Sequence, residues 1–235
     1  MQILLTLKPN KPLNIPFNYN YQLQSAILAK LKETDNSDFW HRNGGYCFGK
    51  LEGRHVIDRM NKRIIFENNV SLEIRSNYFE FIDSFQRSVE QHPYIKLFDT
   101  EIEIVGAALI NRHLTNGNQV VDIATPAVVS TTLNDKHTYY FSPEEEEFFT
   151  LICNNVEKSY ENYCGILPDK VIIRPAGNFK KTVTSYKGTL ITGYSGKVEL
   201  KTTLKMAEFI YNSGLGARKS EGFGFVKIIE GSNRK

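Results

Sequence analysis

The sequence has little cysteine, a single tryptophan and no long apolar run, and these shortages remove whole classes of protein. Three cysteines, Cys47, Cys153 and Cys164, are too few for a disulfide framework and lack metal-ligand spacing. If Cys153 and Cys164 share a helix, 11 residues at about 1.5 Å each put them roughly 16 Å apart, beyond disulfide reach. No segment approaches the roughly 18 apolar residues of a membrane span, and MQILLTLKPNK is too short and too punctuated for a signal peptide. The expectation is a reduced, intracellular, cytoplasmic protein with no membrane partner.

Motifs are missing as well. His41, His55, His92, His113 and His137 form no HxH, HExxH or Cys/His cluster, and no Asp/Glu pairs stand at matching spacing. Neither a metal nor any other cofactor is expected. There is no GxSxG for serine hydrolase chemistry. The densest glycine cluster, GLGARKSEGFG (214–224), lacks the order of a P-loop and follows a helix instead of opening one. It lacks the third glycine of a dinucleotide fingerprint and precedes a strand.

What is present is a chain of 235 residues, 41% hydrophobic and 23% charged, long enough for one large domain or two of about 115. Its net charge of +3 hides an asymmetry. Residues 168–235 hold 13 Lys/Arg against 5 Asp/Glu, which leaves 16 against 21 in residues 1–167. A basic C-terminal third suits a polyanion partner, and a solvated lysine-rich face explains it equally well.

Periodicity predicts an α+β chain. QILLTLK (2–8) alternates as a strand, and NYQLQSAILAKL begins at an Asn cap and lines up Leu23, Ile27 and Leu31 as one helical face. DNSDFWHRNGG reads as a short further turn ending on paired glycines. Strand-like runs follow at YCFGKL, RIIFE and VSLEIRS. NYFEFIDSFQRSVEQ is an amphipathic helix carrying Tyr78, Phe81, Ile82, Phe85 and Val89 and closed by Pro93, and EIEIVGAALI is a strand. This βαββαβ order is that of a ferredoxin-like unit.

The order then recurs. QVVDIATPAVVSTT reads as a strand. SPEEEEFFTLICNNVEKSYENYC reads as a helix with a capping box, Ser142 as cap, Pro143 at the first position and Glu145 three residues on. The acidic run Glu144–Glu147 then complements the helix dipole. KVIIRP and KKTVTSYKGTLITGYSGKVEL read as strands or a long hairpin, LKMAEFIYNSG as a helix and GFGFVKII as the last strand. The expectation is two tandem ferredoxin-like (RRM-like) domains, 1–115 and 116–235.

The glycine cluster has two readings. Gly214 suits a helix C-terminal cap and the whole stretch a simple turn. Equally, backbone N–H groups with Arg218 and Lys219 suit phosphate contacts. The hairpin FKKTVTSYKG adds Lys180, Lys181 and Lys187 for phosphates and Tyr186 for base stacking.

NYNYQLQSAILAKL, the FWHRNG turn and the terminal GLGARKSEGFGFVKI together resemble the CRISPR-associated endoribonucleases of the Cas-six family, which cut repeat RNA into guide units. The resemblance covers both ends of the chain, and its middle matches in element order. It implies tandem ferredoxin-like domains, metal-independent cleavage of CRISPR repeat RNA, and RNA binding by the loop of Gly214, Gly216, Gly222 and Gly224 with Arg218 and Lys219. It also implies association with other proteins of a CRISPR effector complex, as a monomer or homodimer.

The family's histidine follows the first long helix, where FWHRNG puts His41. Such a histidine takes a proton from a ribose 2′-OH or gives one to the leaving 5′ oxygen. By its residues alone, a histidine beside Trp40 at a helix end also suits capping or packing. Two features depart from the family pattern. A tyrosine that some members carry in the first helix is replaced here by apolar sequence near Leu28. The lysine that follows the histidine is not at its usual spacing, so Lys50, with Tyr46 and Arg42 behind it, is the candidate assistant. Tyr19 and Tyr21 read as core or helix-start residues.

Overall fold

The structure, a computed structural model, describes residues 1–32, 40, 45–134 and 137–229. They fall into two compact units, Met1–Arg112 with Ser185–Gly188, and His113–Thr184 with Thr189–Lys235.

In the first unit β1 (Gln2–Lys8) is followed by β2 (Leu13–Pro16), α1 (Asn20–Lys32), β3 (Tyr46–Phe48), β4 (His55–Asp58), β5 (Arg63–Phe66), β6 (Val70–Ser76), α2 (Phe79–Gln91), β7 (Tyr94–Leu97) and β8 (Thr100–Ile110). The main sheet has the order β3-β6-β1-β8-β7, and every pair in it is antiparallel. Without the edge strand β7, this is the strand order of a ferredoxin-like unit built from β1, α1, β3, β6, α2 and β8. Alternation decides the buried face: Ile3, Leu5 and Leu7 point into the core, and the register sets Ile3 against Ile74 and Leu5 against Leu72.

Both helices cover that face. Leu23, Ile27 and Leu31 of α1 and Phe81, Ile82, Phe85 and Val89 of α2 are buried, each side chain contributing roughly 1.5–3 kcal/mol. Two buried charges are satisfied in place: Arg75 bonds Glu73 at 2.7 Å, and Lys30 Nζ donates to the His92 carbonyl oxygen at 2.6 Å, directly after α2. Strands β2, β5 and β4 form a separate three-stranded sheet in that order. RIIFE is therefore a strand of this side sheet and not of the main one.

The second unit contains β9 (Gln119–Ile123), β10 (Ser130–Thr132), β11 (Thr138–Tyr140), α3 (Glu146–Cys164), β12 (Ile172–Pro175), β13 (Lys180–Tyr186), β14 (Thr189–Ser195), β15 (Lys197–Lys201), α4 (Leu204–Ser213), a 3-10 turn (Lys219–Glu221) and β16 (Val226–Ile228). Its sheet order, β12-β15-β9-β16, is again antiparallel and ferredoxin-like. Both sheets thus have the same connectivity, and the chain is two tandem ferredoxin-like folds. The second core joins Val121, Ile123, Phe148, Ile152, Val156, Val198, Leu200 and Ile210.

Two local expectations need correction. QVVDIATPAVVSTT is not one strand: β9 stops at Ile123 and β10 begins at Ser130, because Pro126 carries no N–H for a ladder. The backbone between them is occupied otherwise, as described below. The helix read from Ser142 starts at Glu146. Only the glutamate half of the capping box forms, with the Glu145 carboxylate accepting the Ser142 N–H at 2.5 Å and the Tyr139 hydroxyl at 2.6 Å.

Candidate functional site

The glycine cluster closes α4 and leads into β16. Thr203 caps the start of α4, its hydroxyl accepting the Met206 N–H at 3.4 Å. Gly214 ends the helix at φ 78°, with its N–H on the Ile210 carbonyl at 2.8 Å. All four glycines of the motif are buried and take positive φ.

What approaches them is the chain's own backbone. A Cβ on Gly216 would stand 2.7 Å from the Val128 carbonyl oxygen, and one on Gly224 only 1.8 Å from that of Leu215. The loop is laced to the segment after β9: Ala217 N–H to the Val128 carbonyl at 2.8 Å, Gly224 N–H to that of Pro126 at 3.0 Å, and Phe225 N–H to Thr125 Oγ1 at 2.8 Å. Leu215, Phe223 and Phe225 plug the core beneath.

This scaffold turns Arg218 and Lys219 outward. Arg218 is exposed in the left-handed region at φ 59°, and its guanidinium bonds Glu221 at 2.9 Å; Lys219 opens the 3-10 turn, half-buried. The basic hairpin is also present. Lys180 and Lys181 are exposed on β13, and as neighbours on a strand they point to opposite faces. Lys187 and Gly188 form its two-residue turn with φ 49° and 80°, the pattern of a type I′ turn.

Tyr186 is not available for base stacking, since it is buried and its hydroxyl bonds the Gln24 side chain on α1. The ring left at the surface is Tyr21, 38% exposed. It meets Tyr186 edge-on at 5.7 Å, and the Lys187 ammonium lies 4.8 Å from its centroid. The sequence alone suggests a core or helix-start residue at Tyr21, and the exposed ring rules out the core. Its position at the opening of an amphipathic helix, outside the Leu23–Ile27–Leu31 face, was the signal that it stays at the surface.

In the first unit, His41 and Arg42 lie outside the described residues. Their neighbour Trp40 is buried, edge-on to Tyr78 at 5.4 Å and Phe81 at 5.2 Å. Gly45 at φ 85° packs so closely that a Cβ would stand 2.7 Å from the Tyr78 ring. Tyr46 is 1% exposed and stacked on Phe81 at 4.6 Å, so it is a core aromatic with no access to a bound chain. Lys50, by contrast, is exposed just beyond β3. The next residue is held in place: the buried Tyr19 hydroxyl accepts the Leu51 N–H at 3.1 Å. Burial pushes the Tyr19 phenol up to about 12, so it stays neutral and keeps its role as acceptor. Leu28, near which the resemblance implies a tyrosine in some family members, is buried.

Among the described residues no group of three His, Cys, Asp or Glu side chains could hold a metal ion, and no helix is long and apolar enough to cross a membrane. Cys47, Cys153 and Cys164 are in no disulfide among the described residues. Burial, the main cause, raises the Cys153 thiol above its ordinary value.

Residues 110–228, half of the chain, match the family model described as CRISPR associated protein Cas6, C-terminal, and that stretch includes the basic hairpin and the glycine loop. The chain is 29% identical over 237 residues to a CRISPR-associated endoribonuclease-like protein Cas6 of Pyrococcus furiosus, with 97% of each chain covered. A Cas6nc protein of Pyrococcus horikoshii of the same description is 27% identical, over 97% of this chain and 98% of its own. A solved structure of an RAMP protein binding different RNA substrates superposes with a TM-score of 0.87 at 26% identity, covering 98% of this chain and all of the other. With the family match spanning the second ferredoxin-like unit and relatives aligning end to end, this chain belongs to the Cas6 family of CRISPR-associated proteins.

Proposed function

We propose that this protein is an endoribonuclease that cleaves CRISPR repeat RNA without a metal, in the reducing interior of the cell. A ribose 2′-OH attacks its own adjacent phosphate, leaving a 2′,3′-cyclic phosphate and a 5′-OH. The nucleophile is already tethered beside the phosphorus, which supplies proximity that a bimolecular hydrolysis lacks. The observation that carries the reading is the family match over 110–228, which contains the outward-turned Arg218–Lys219 pair on its rigid glycine scaffold.

His41 acts as the acid or base, a role worth roughly 10²–10⁴ in rate. The Lys50 ammonium offsets the charge that gathers on the phosphorane oxygens. Arg218, Lys219, Lys180, Lys181 and Lys187 contact RNA phosphates. Residues 1–115 thus carry the chemistry and 116–235 most of the binding.

One specific observation favours a second reading, an RNA-binding module on this fold that cuts slowly or not at all. The first helix is apolar around Leu28, near where the resemblance implies a tyrosine in some family members, and Tyr46 is sealed in the core. His41 then has fewer helpers, while Lys180, Lys181, Lys187 and Arg218 stay exposed for phosphates.

The test is incubation of the protein with its host's repeat RNA in EDTA. The enzyme reading requires cleavage that stops when the ribose at the cut site is 2′-deoxy and falls at least a hundredfold in His41→Ala. Tight, salt-sensitive binding with no cleavage establishes the second reading instead.

A further inference from the structure

One aromatic ring of the first unit is held open at the surface with an ammonium on its face. Tyr21 is 38% exposed in the first turn of α1, outside the buried Leu23, Ile27 and Leu31. Packing fixes its position. Tyr186 meets it edge-on, and the Tyr186 hydroxyl bonds Gln24, one turn further along the same helix.

The Lys187 ammonium lies 4.8 Å from the Tyr21 centroid. The turn that carries it is tight, since Lys187 and Gly188 both take positive φ. Backbone geometry, and not a long loop, therefore delivers this lysine to the ring. Among the described residues no carboxylate pairs with it. An ammonium resting on an exposed ring is a cation with no fixed anion.

The surroundings favour an anion. Residues 1–32 contain four lysines and no aspartate or glutamate, so all 21 acidic residues of 1–167 come after α1. Along the helix ridge that runs on from Tyr21, the next exposed positions are Ser25 and Ala29, small and uncharged. Neither charge nor bulk shields the ring from that side.

A polyanion that also carries flat rings satisfies both groups at once. We infer that Tyr21 is a base-stacking residue for an unpaired nucleotide of the bound RNA, with Lys187 moving from the ring to the adjoining phosphate. The inference rests on the RNA-binding reading above and adds a ring on α1 to the lysines already assigned. The exchange is favourable, because base–aromatic stacking is stronger than an exposed cation–π contact and the ammonium gains a full negative charge. The nucleotide is unpaired, since a base inside a duplex has both faces covered by its neighbours. Stacking on tyrosine tolerates every base, so the contact selects single strands and not a sequence.

The test is titration of the full chain with its host's repeat RNA, 2′-deoxy at the cut site, with thermal unfolding recorded for every variant. Tyr21→Ala is expected to weaken binding by about fivefold or more, and Tyr21→Phe to stay within about twofold of wild type. Tyr21→Ala leaves the slope of log affinity against log salt unchanged, because stacking releases no counterion. Lys187→Asn, which suits the left-handed backbone there, lowers that slope by about 0.7. An abasic scan of the RNA is expected to find one position whose loss costs wild type as much as Tyr21→Ala and costs that variant almost nothing. A folded Tyr21→Ala with unchanged affinity, a Tyr21→Phe as weak as Tyr21→Ala, or losses that add at every abasic position overturns this contact while repeat-RNA binding stands. A wild type that binds no repeat RNA overturns the contact together with the function it rests on.

Discussion

The Leu215 N–H donates to the Gly224 carbonyl at 2.8 Å, and a Cβ on Gly224 would lie 1.8 Å from the Leu215 carbonyl oxygen. Both ends of the glycine motif are thus locked to each other at backbone distance. Gly224→Ala is expected to destabilise the protein by about 3 kcal/mol or more, from a clash with backbone and a φ of 68° that alanine resists. Thermal unfolding measures it. At Gly188, where a Cβ would meet nothing within 4 Å, the same change costs only its backbone strain, about 1 kcal/mol.

Arg218 and Lys219 are supported by that scaffold without stabilising it. Arg218→Ala loses one exposed ion pair, worth 0–1 kcal/mol at most. Its melting temperature is therefore expected to stay near wild type while repeat-RNA affinity drops. If each residue neutralises one phosphate of single-stranded RNA, the slope of log affinity against log salt falls by about 0.7 per substitution. An unchanged slope would remove these two residues from the interface.

Much of the fold was legible because strand and helix periods are written into the chain. Ile3-Leu5-Leu7 and Leu23-Ile27-Leu31 name their buried faces outright, and the element order alone yields two ferredoxin-like folds. What escaped depended on partners distant in sequence. Gly216 also reads as part of a phosphate cradle, because Val128, the backbone that crowds it from 88 residues away, cannot be seen in a spacing pattern. Tyr46 reads as a reactive phenol until Phe81, 35 residues on, is found stacked against it. Tyr186 and Tyr21 exchange roles for the same reason: which ring is buried was decided by Gln24, 162 residues from Tyr186.

Lys50 and Tyr46 separate in a direct comparison. Tyr46→Phe keeps the stacked ring and is expected to leave cleavage within about twofold of wild type, since the phenol is sealed from solvent. Lys50→Met removes the exposed ammonium and is expected to lower the single-turnover rate by about 10–100-fold with little change in RNA affinity. A loss of rate in Tyr46→Phe with unchanged stability would reverse the assignment.

Tyr19 makes the fold sensitive to alkali. Its folded phenol holds its proton up to about 12, mainly through burial, against an ordinary value of 10.0. A raised value of this kind stabilises the folded state fully below pH 10 and loses that contribution as pH climbs toward 12, because the unfolded chain ionises first. Two units correspond to about 3 kcal/mol. Other tyrosines and lysines titrate in the same range, so the informative quantity is a difference. Tyr19→Phe is expected to be less stable than wild type by about 1 kcal/mol at neutral pH, having lost the acceptor for the Leu51 N–H. Its stability is then expected to fall less steeply between pH 10 and 12, so that the two curves converge and cross. Chemical denaturation at a series of pH values gives both curves, and parallel curves would mean that the phenol is hydrated in the folded protein.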